Sequence, residues 1–205
     1  MAIGCLIYTY AGTVSRETVR SNWLPESSVP FTLDGMAFMK VAYPEDFRAI
    51  SWLNAHVAGA PVIAEADGTP QHVGTYYDWR SRVSQFTGLP DILSGIHEGE
   101  QRWPDEIDPT SRCANVLNAN ACLQTTHSRI YDVNALYDSP KTSEAWRVIK
   151  TYGVRYIYVG FSERQCTSVQ CYSRAGLNKF NRMVGHGLQI AFRTGNTTIY
   201  EVTRA

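Results

Sequence analysis

Apolar positions recur at helical spacing in three places, and each time a short, strongly apolar run follows. In the first, Phe47, Ile50, Leu53 and Val57 mark one helical face. Pro44 suits the first helical position, Glu45 and Asp46 suit the positive end of the helix dipole, and Gly59 suits a stop. PVIAEA (61–66) then reads as a buried strand. In the second, Ala145, Val148, Ile149 and Tyr152 form the apolar face of SPKTSEAWRVIKTYG (139–153), and VRYIYVG (154–160) follows. That run carries a single charge, which predicts a strand covered on both faces. In the third, GLNKFNRMVG (176–185) turns Leu177, Phe180 and Val184 inward and leads into LQIAFRTGNTTIYEV (188–202). There Leu188, Ile190 and Phe192 alternate with Gln189, Ala191 and Arg193, the turn falls at Thr194-Gly195-Asn196, and Thr198, Tyr200 and Val202 share one side. Residues 21–42 read as irregular. The pattern predicts an α/β fold, with layered helix–strand repeats around a mainly parallel sheet and an antiparallel C-terminal hairpin.

In open α/β sheets ligands gather beyond the carboxyl ends of the strands. Two segments leave such ends: EADGTPQHVGTYYDWRSRVSQFTG and GFSERQ. A length of 205 residues suits a single domain with a real core. Lys plus Arg number 19 and Asp plus Glu also 19, so charge gives no reason to expect nucleic acid as a partner. The 12 tyrosines and 5 tryptophans suggest many rings with an apolar body and a polar tip.

Familiar catalytic signatures are missing. The chain has no G-x-G-x-x-G, no P-loop, no H-E-x-x-H and no G-x-S-x-G elbow, and its five histidines are scattered. No cofactor or metal site is predicted. The richest polar stretch is RVSQFTGLPDILSGIHEGEQRW (82–103), in which Gly88, Leu89 and Pro90 should turn the chain and Leu89, Ile92 and Leu93 should anchor it. Arg80, Arg82, His97, Glu98 and Arg102, with Tyr76 or Tyr77 nearby, form the candidate substrate-binding set. Guanidinium forks suit phosphate or carboxylate, and aromatic rings suit sugar faces. The competing reading has Arg80 or Arg82 paired internally with Glu65 or Glu98. Asp34, Glu65, Asp67, Glu98 and Glu163 are loop-proximal carboxylates that could serve acid–base chemistry, although carboxylates near glycine more often cap helices.

Of the five cysteines, Cys113 and Cys122 lie in one irregular stretch and Cys166 and Cys171 in another. Their spacings suit two short-loop disulfides, Cys113–Cys122 and Cys166–Cys171, and do not give the C-x2-C knuckles of a zinc ribbon; free thiols are the alternative. MAIGCLIYTYAG is an apolar run with Arg16 and Arg20 after it, the reverse of a signal peptide. It reads equally as a buried first helix or as the last turns of a membrane helix.

The ordered motifs TLDGMAFM, DFRAISWLNAHVAGAPVIAEA, RVSQFTGLPDIL with HEGEQRW, RIYDVNALY, YGVRYIYVGFSER, GLNKF and TTIYEV resemble the C-terminal part of the Chlor_Arch_YYY proteins, large polytopic membrane proteins. More loosely, they resemble the soluble C-terminal domains of membrane glycosyltransferases that use lipid-linked sugars. The resemblance covers roughly residues 5–203. It implies that residues 1–20 are the end of a membrane helix and its exit, and that 21–205 form one extracytoplasmic α/β domain. It further implies an N-terminal membrane domain as partner, a lipid-linked sugar as ligand and a catalytic centre outside this chain. The YYYxG motif that names the family is not present here. The rival classes are a non-enzymatic scaffold of the cell envelope and a stand-alone hydrolase using Glu98 with Asp34 or Glu65.

Overall fold

A computed structural model describes residues 34–66, 81–92, 129, 131–164 and 172–204. Helix α1 (Gly35–Ala42) begins where Asp34 accepts a hydrogen bond from the Met36 amide. The irregular reading of 21–42 is thus corrected for 35–42. Asp34 acts as an N-cap, and an N-cap aspartate satisfies an amide that would otherwise start the helix unpaired. Helix α2 (Pro44–His56) follows with Pro44 in its first turn. Strand β1 (Val62–Ala64) and helix α3 (Arg82–Thr87) come next, and α3 ends at Gly88 in the left-handed region (φ 71°). Leu89 and Ile92 are buried beyond this turn and anchor the following chain to the body, as read from the sequence. A helix over 131–138 (α4) leads to α5 (Thr142–Tyr152), β2 (Val154–Val159), α6 (Phe161–Arg164), α7 (Arg174–Met183), β3 (Leu188–Thr194) and β4 (Thr197–Val202).

The sheet order is β1-β2-β4-β3. β1 pairs parallel with β2, and β4 pairs antiparallel with both β2 and β3. The helix–strand repeats are therefore present, since β1, β2 and β3 all run the same way. The parallel pairing is smaller than the repeats suggest because the last strand inserts between β2 and β3. Insertion also explains the burial of β4. The hairpin reading places Thr198, Tyr200 and Val202 on the covered side, but Thr197 and Ile199 are buried as well. In β3, a register shift between Ile190 and Phe192 breaks the strict alternation and leaves Ile190 exposed.

Helices cover both faces. On one, Met39 of α1, Ala49, Ile50 and Leu53 of α2 and Val83 of α3 pack on Ile63, Tyr158 and Ile199. On the other, Val133, Leu136 and Tyr137 of α4, Val148 and Ile149 of α5 and Leu177 and Phe180 of α7 pack on Ile157, Val159, Tyr200 and Val202. The Tyr137 hydroxyl lies 2.7 Å from the Ala64 carbonyl and 2.9 Å from the Tyr158 carbonyl, so α4 is tied to β1 and β2 together.

The start of α7 closes on the end of α4. Ser173 donates its amide to Asp138 Oδ1 (2.7 Å) and its hydroxyl to the Asp138 carbonyl (2.9 Å). Lys179, fully buried, donates to the Gly176 carbonyl at 2.9 Å and reaches the Tyr137 carbonyl at 3.4 Å. A cation at the end of a helix suits the dipole, but this one lies among apolar groups, 4.2 Å from the Phe180 ring centroid. No described helix is long and apolar enough to cross a membrane. Residues 1–33, with the apolar run read as a membrane-helix end, lie outside the described residues.

Candidate functional site

Three carboxylates converge on Arg82 at the carboxyl ends of β1 and β2. Asp46 comes from the first turn of α2, Glu65 from just beyond β1, and Glu163 from α6, just beyond β2. All four side chains are buried, none more than 1% exposed. Arg82 Nε donates to Asp46 Oδ2 at 2.5 Å and Nη2 donates to Glu163 Oε2 at 3.1 Å. Nη1 stands 3.9 Å from Glu65 Oε2 and has no hydrogen-bond partner among the described residues. The guanidinium carbon lies 5.0 Å from the centroid of the Tyr158 ring.

Each carboxylate has a second task. Asp46 Oδ1 accepts from the hydroxyls of Tyr158 (2.9 Å) and Thr197 (3.2 Å), which links α2 to β2 and β4. Glu65 accepts from the amides of Val83 (2.9 Å) and Ser84 (2.7 Å), and so caps α3 with both oxygens. Glu163 accepts from the amides of Ala66 (2.8 Å) and Gly160 (2.6 Å). A side chain at Gly160 has no room, because its Cβ would lie 2.5 Å from Asp46 Oδ1 and 3.0 Å from Arg82 Nη2. Ser81, just before the arginine, holds the left-handed conformation at φ 60°. That conformation costs a non-glycine residue on the order of 1 kcal/mol, an amount the packed surroundings must offset.

The charges do not balance, and titration follows from that. Burial pushes the Glu65 carboxyl up to about 7; Arg82 and the two amide donors oppose this, and Glu163 reinforces it. For Arg82, burial favours proton loss, but Glu163, Asp46, Tyr158 and Glu65 overcome it and hold the proton more tightly than usual. Burial, opposed by Arg82, raises the Tyr158 hydroxyl well above its ordinary range. On the other face of the sheet, burial lowers the Lys179 ammonium to about 7.

Glu65 and Lys179 give stability slopes of opposite sign in adjoining pH windows. Folded Glu65 binds a proton more readily than the unfolded chain, so its contribution falls as pH rises from about 4.5 to about 7. Folded Lys179 gives up its proton more readily than the unfolded chain, so its contribution grows as pH rises from about 7 to about 10.5. Urea unfolding across these ranges should show the first slope diminished in Glu65→Gln and the second in Lys179→Met, each by up to about 1.4 kcal/mol per pH unit. Wild-type slopes in both variants would show that neither group titrates as its burial requires.

Of the residues singled out from sequence, Arg82, Glu65 and Glu163 are brought together, and Asp46 joins them. Arg82 is not at a ligand-facing rim: its donors turn inward because three acidic side chains surround it. Asp34 caps α1, and Glu65 accepts an amide hydrogen bond on each of its oxygens. Arg80, Tyr76, Tyr77, His97, Glu98 and Arg102 lie outside the described residues, as do Asp67, Leu93 and the paired-cysteine candidates Cys113, Cys122, Cys166 and Cys171. Among the described residues, no group of three or more His, Cys, Asp or Glu is arranged to hold a metal.

No family model and no curated protein matches the chain. Among solved structures, the C-terminal globular domain of an oligosaccharyltransferase from Archaeoglobus fulgidus is similar at 10% sequence identity, with a TM-score of 0.40, over 76% of this chain and 94% of that one. The resemblance to the Chlor_Arch_YYY proteins rests on the quoted motifs alone.

Proposed function

We propose that this chain is the extracytoplasmic C-terminal α/β domain of a membrane glycosyltransferase-like protein. In this reading it shapes the acceptor or lipid-linked-sugar side of the site, while the catalytic centre belongs to an N-terminal membrane partner. Residues 1–20 are the end of a membrane helix, and the disulfides Cys113–Cys122 and Cys166–Cys171 suit the outside location. The ordered sequence motifs support the class. The observation that carries the division of labour is the buried Arg82 cluster at the carboxyl ends of β1 and β2. Ligands of α/β sheets gather at that end, yet the charged groups there are committed to one another. Arg82 is a positioning residue, and contact with the sugar or its phosphate falls to Arg80, Tyr76, Tyr77, His97, Glu98 and Arg102 on the flanking segments.

Photocrosslinking in native membranes tests this. A benzophenone amino acid at position 77 or 97 of the full-length parent protein should capture a radiolabelled polyprenyl-phosphate sugar, and unlabelled ligand should compete. A crosslinker at Lys141, far from the cluster in sequence and outside the candidate set, should capture none. Absence of competed labelling at both 77 and 97, with the protein folded and inserted, would overturn the reading in favour of a scaffold domain.

A further inference from the structure

The opposite end of the sheet carries an open cleft of about 1030 Å3, between the last turn of α5, the α7–β3 turn and the residues that follow β4. Its polar lining includes Lys150, His186 and Arg204, all exposed, together with the edge of Trp146. Among the described residues, no carboxylate lines it. Among the described residues, none of these four side chains has a hydrogen-bond or ion-pair partner. Glu201, near the end of β4, is already held by Arg155 (2.7 Å) and by the Gln189 amide (2.6 Å), so its charge is offset locally. Helices α5 and α7 both end here, and each contributes roughly half a negative charge. Lys150 and Arg204 exceed that sum.

The rim is firmly built. Gly187 has φ 108°, and a Cβ on it would lie 2.7 Å from the Trp146 ring, so glycine lets the turn lie directly on the indole. The Gly187 carbonyl accepts from the Thr203 amide, the Gly185 amide donates to the Leu188 carbonyl, and the His186 amide donates to the Met183 carbonyl, each at 2.9 Å. These bonds hold the backbone of the turn that carries His186 and of the segment that leads to Arg204.

A wall rich in cationic N–H donors and lacking carboxylates recognises a compact oxyanion. We propose that this cleft binds a phosphate monoester. Lys150, His186 and Arg204 hold the phosphate, and the attached organic group lies against Trp146. The same headgroup chemistry occurs in a soluble phosphate ester and in a phosphatidate lipid. The proposal stands apart from the Arg82 end of the sheet and does not depend on the reading given above.

The test uses the whole 205-residue chain. Its Trp146 and His186 ring resonances are followed during titration with glycerol 3-phosphate at constant ionic strength, and its flotation is measured on phosphatidylcholine vesicles with and without phosphatidate. Saturable shifts at both rings assign a soluble ester, and flotation dependent on phosphatidate assigns a lipid headgroup; either result supports the site. Lys150→Gln and Arg204→Gln should each weaken that binding about tenfold. Arg174→Gln, an equal loss of charge at the far end of α7, should leave it unchanged. The proposal is overturned if neither ligand gives a saturable response, or if all three variants weaken binding equally.

Discussion

Replacing Arg82 by methionine should lower stability by about 3–5 kcal/mol, the usual cost of removing one partner from a buried ionic group. Three sealed carboxylates would then have no counter-charge. A domain of ordinary stability has about 5–15 kcal/mol in all, so the variant should unfold early in urea or accumulate poorly. Lysine should not rescue it, since one ammonium cannot reproduce the separate Nε and Nη2 bonds to Asp46 and Glu163. Removing the excess negative charge should: Arg82→Met combined with Asp46→Asn and Glu163→Gln should recover much of the loss, a non-additivity expected of groups that share one network. Urea titration of the set decides it. An Arg82→Met midpoint close to wild type would mean that the cluster contributes little to the fold.

The second large effect is expected at Gly176. A Cβ there would strike the carbonyl oxygens of Tyr137 and Asp138, which are backbone and cannot rotate away. Alanine would force α7 back from the end of α4, stretching the Ser173 bonds to Asp138 and the Lys179 bonds. Overpacking of this kind costs about 1–3 kcal/mol, and alanine's better helix propensity returns up to about 1. Because both clashes are with backbone, the upper end of that cost applies, and the net loss of about 2 kcal/mol should lower the thermal midpoint by about 4–8 °C. Asn178→Ala, on the exposed side of the same helix, should leave the midpoint unchanged or raise it. Equal midpoints for Gly176→Ala and wild type would refute the close approach of the two helices.

Periodicity carried most of the described elements. Helices α2, α5 and α7 and strands β1 and β2 fall where the apolar spacing places them, because each must bury one stripe or run. The terminal hairpin is equally legible from its Gly-Asn turn. The destination of β4 is not, since nothing local says that a last strand will enter between two earlier ones. Helix α4 is not legible for a related reason: its segment stands out only as a motif, RIYDVNALY, while its register against β1 and β2 is set by a hydroxyl of Tyr137 that bonds far along the chain.

The cluster was half legible. Glu65, Arg82 and Glu163 attract notice from their positions after strands, and pairing of Arg82 with Glu65 was the plain alternative to a ligand role. Asp46 reads as a solvated partner of the helix dipole. Yet it lies four residues before Ile50 and seven before Leu53, on the very stripe that faces the core. An acid on a buried stripe announces a buried cation, and that signal was available. Lys179 is the mirror case, one residue before Phe180 on the covered side of α7. Gly160 offers no warning at all, because a glycine after a strand usually reads only as a turn.

The placement of β4 has a consequence for how the protein is made. Asp46 and its partner Thr197 are 151 residues apart in sequence, and Asp46 and Tyr158 are 112 apart. At about 5–20 residues per second, the ribosome takes about 8–30 s to travel from the first of these to the last. Throughout that interval α2 exists without the strand that completes its polar contacts, and β2 has one edge unpaired. The body cannot close progressively from its beginning; it must wait for nearly its final segment. Chains interrupted before residue 197 should therefore be held by chaperones or degraded rather than persist as a smaller folded unit.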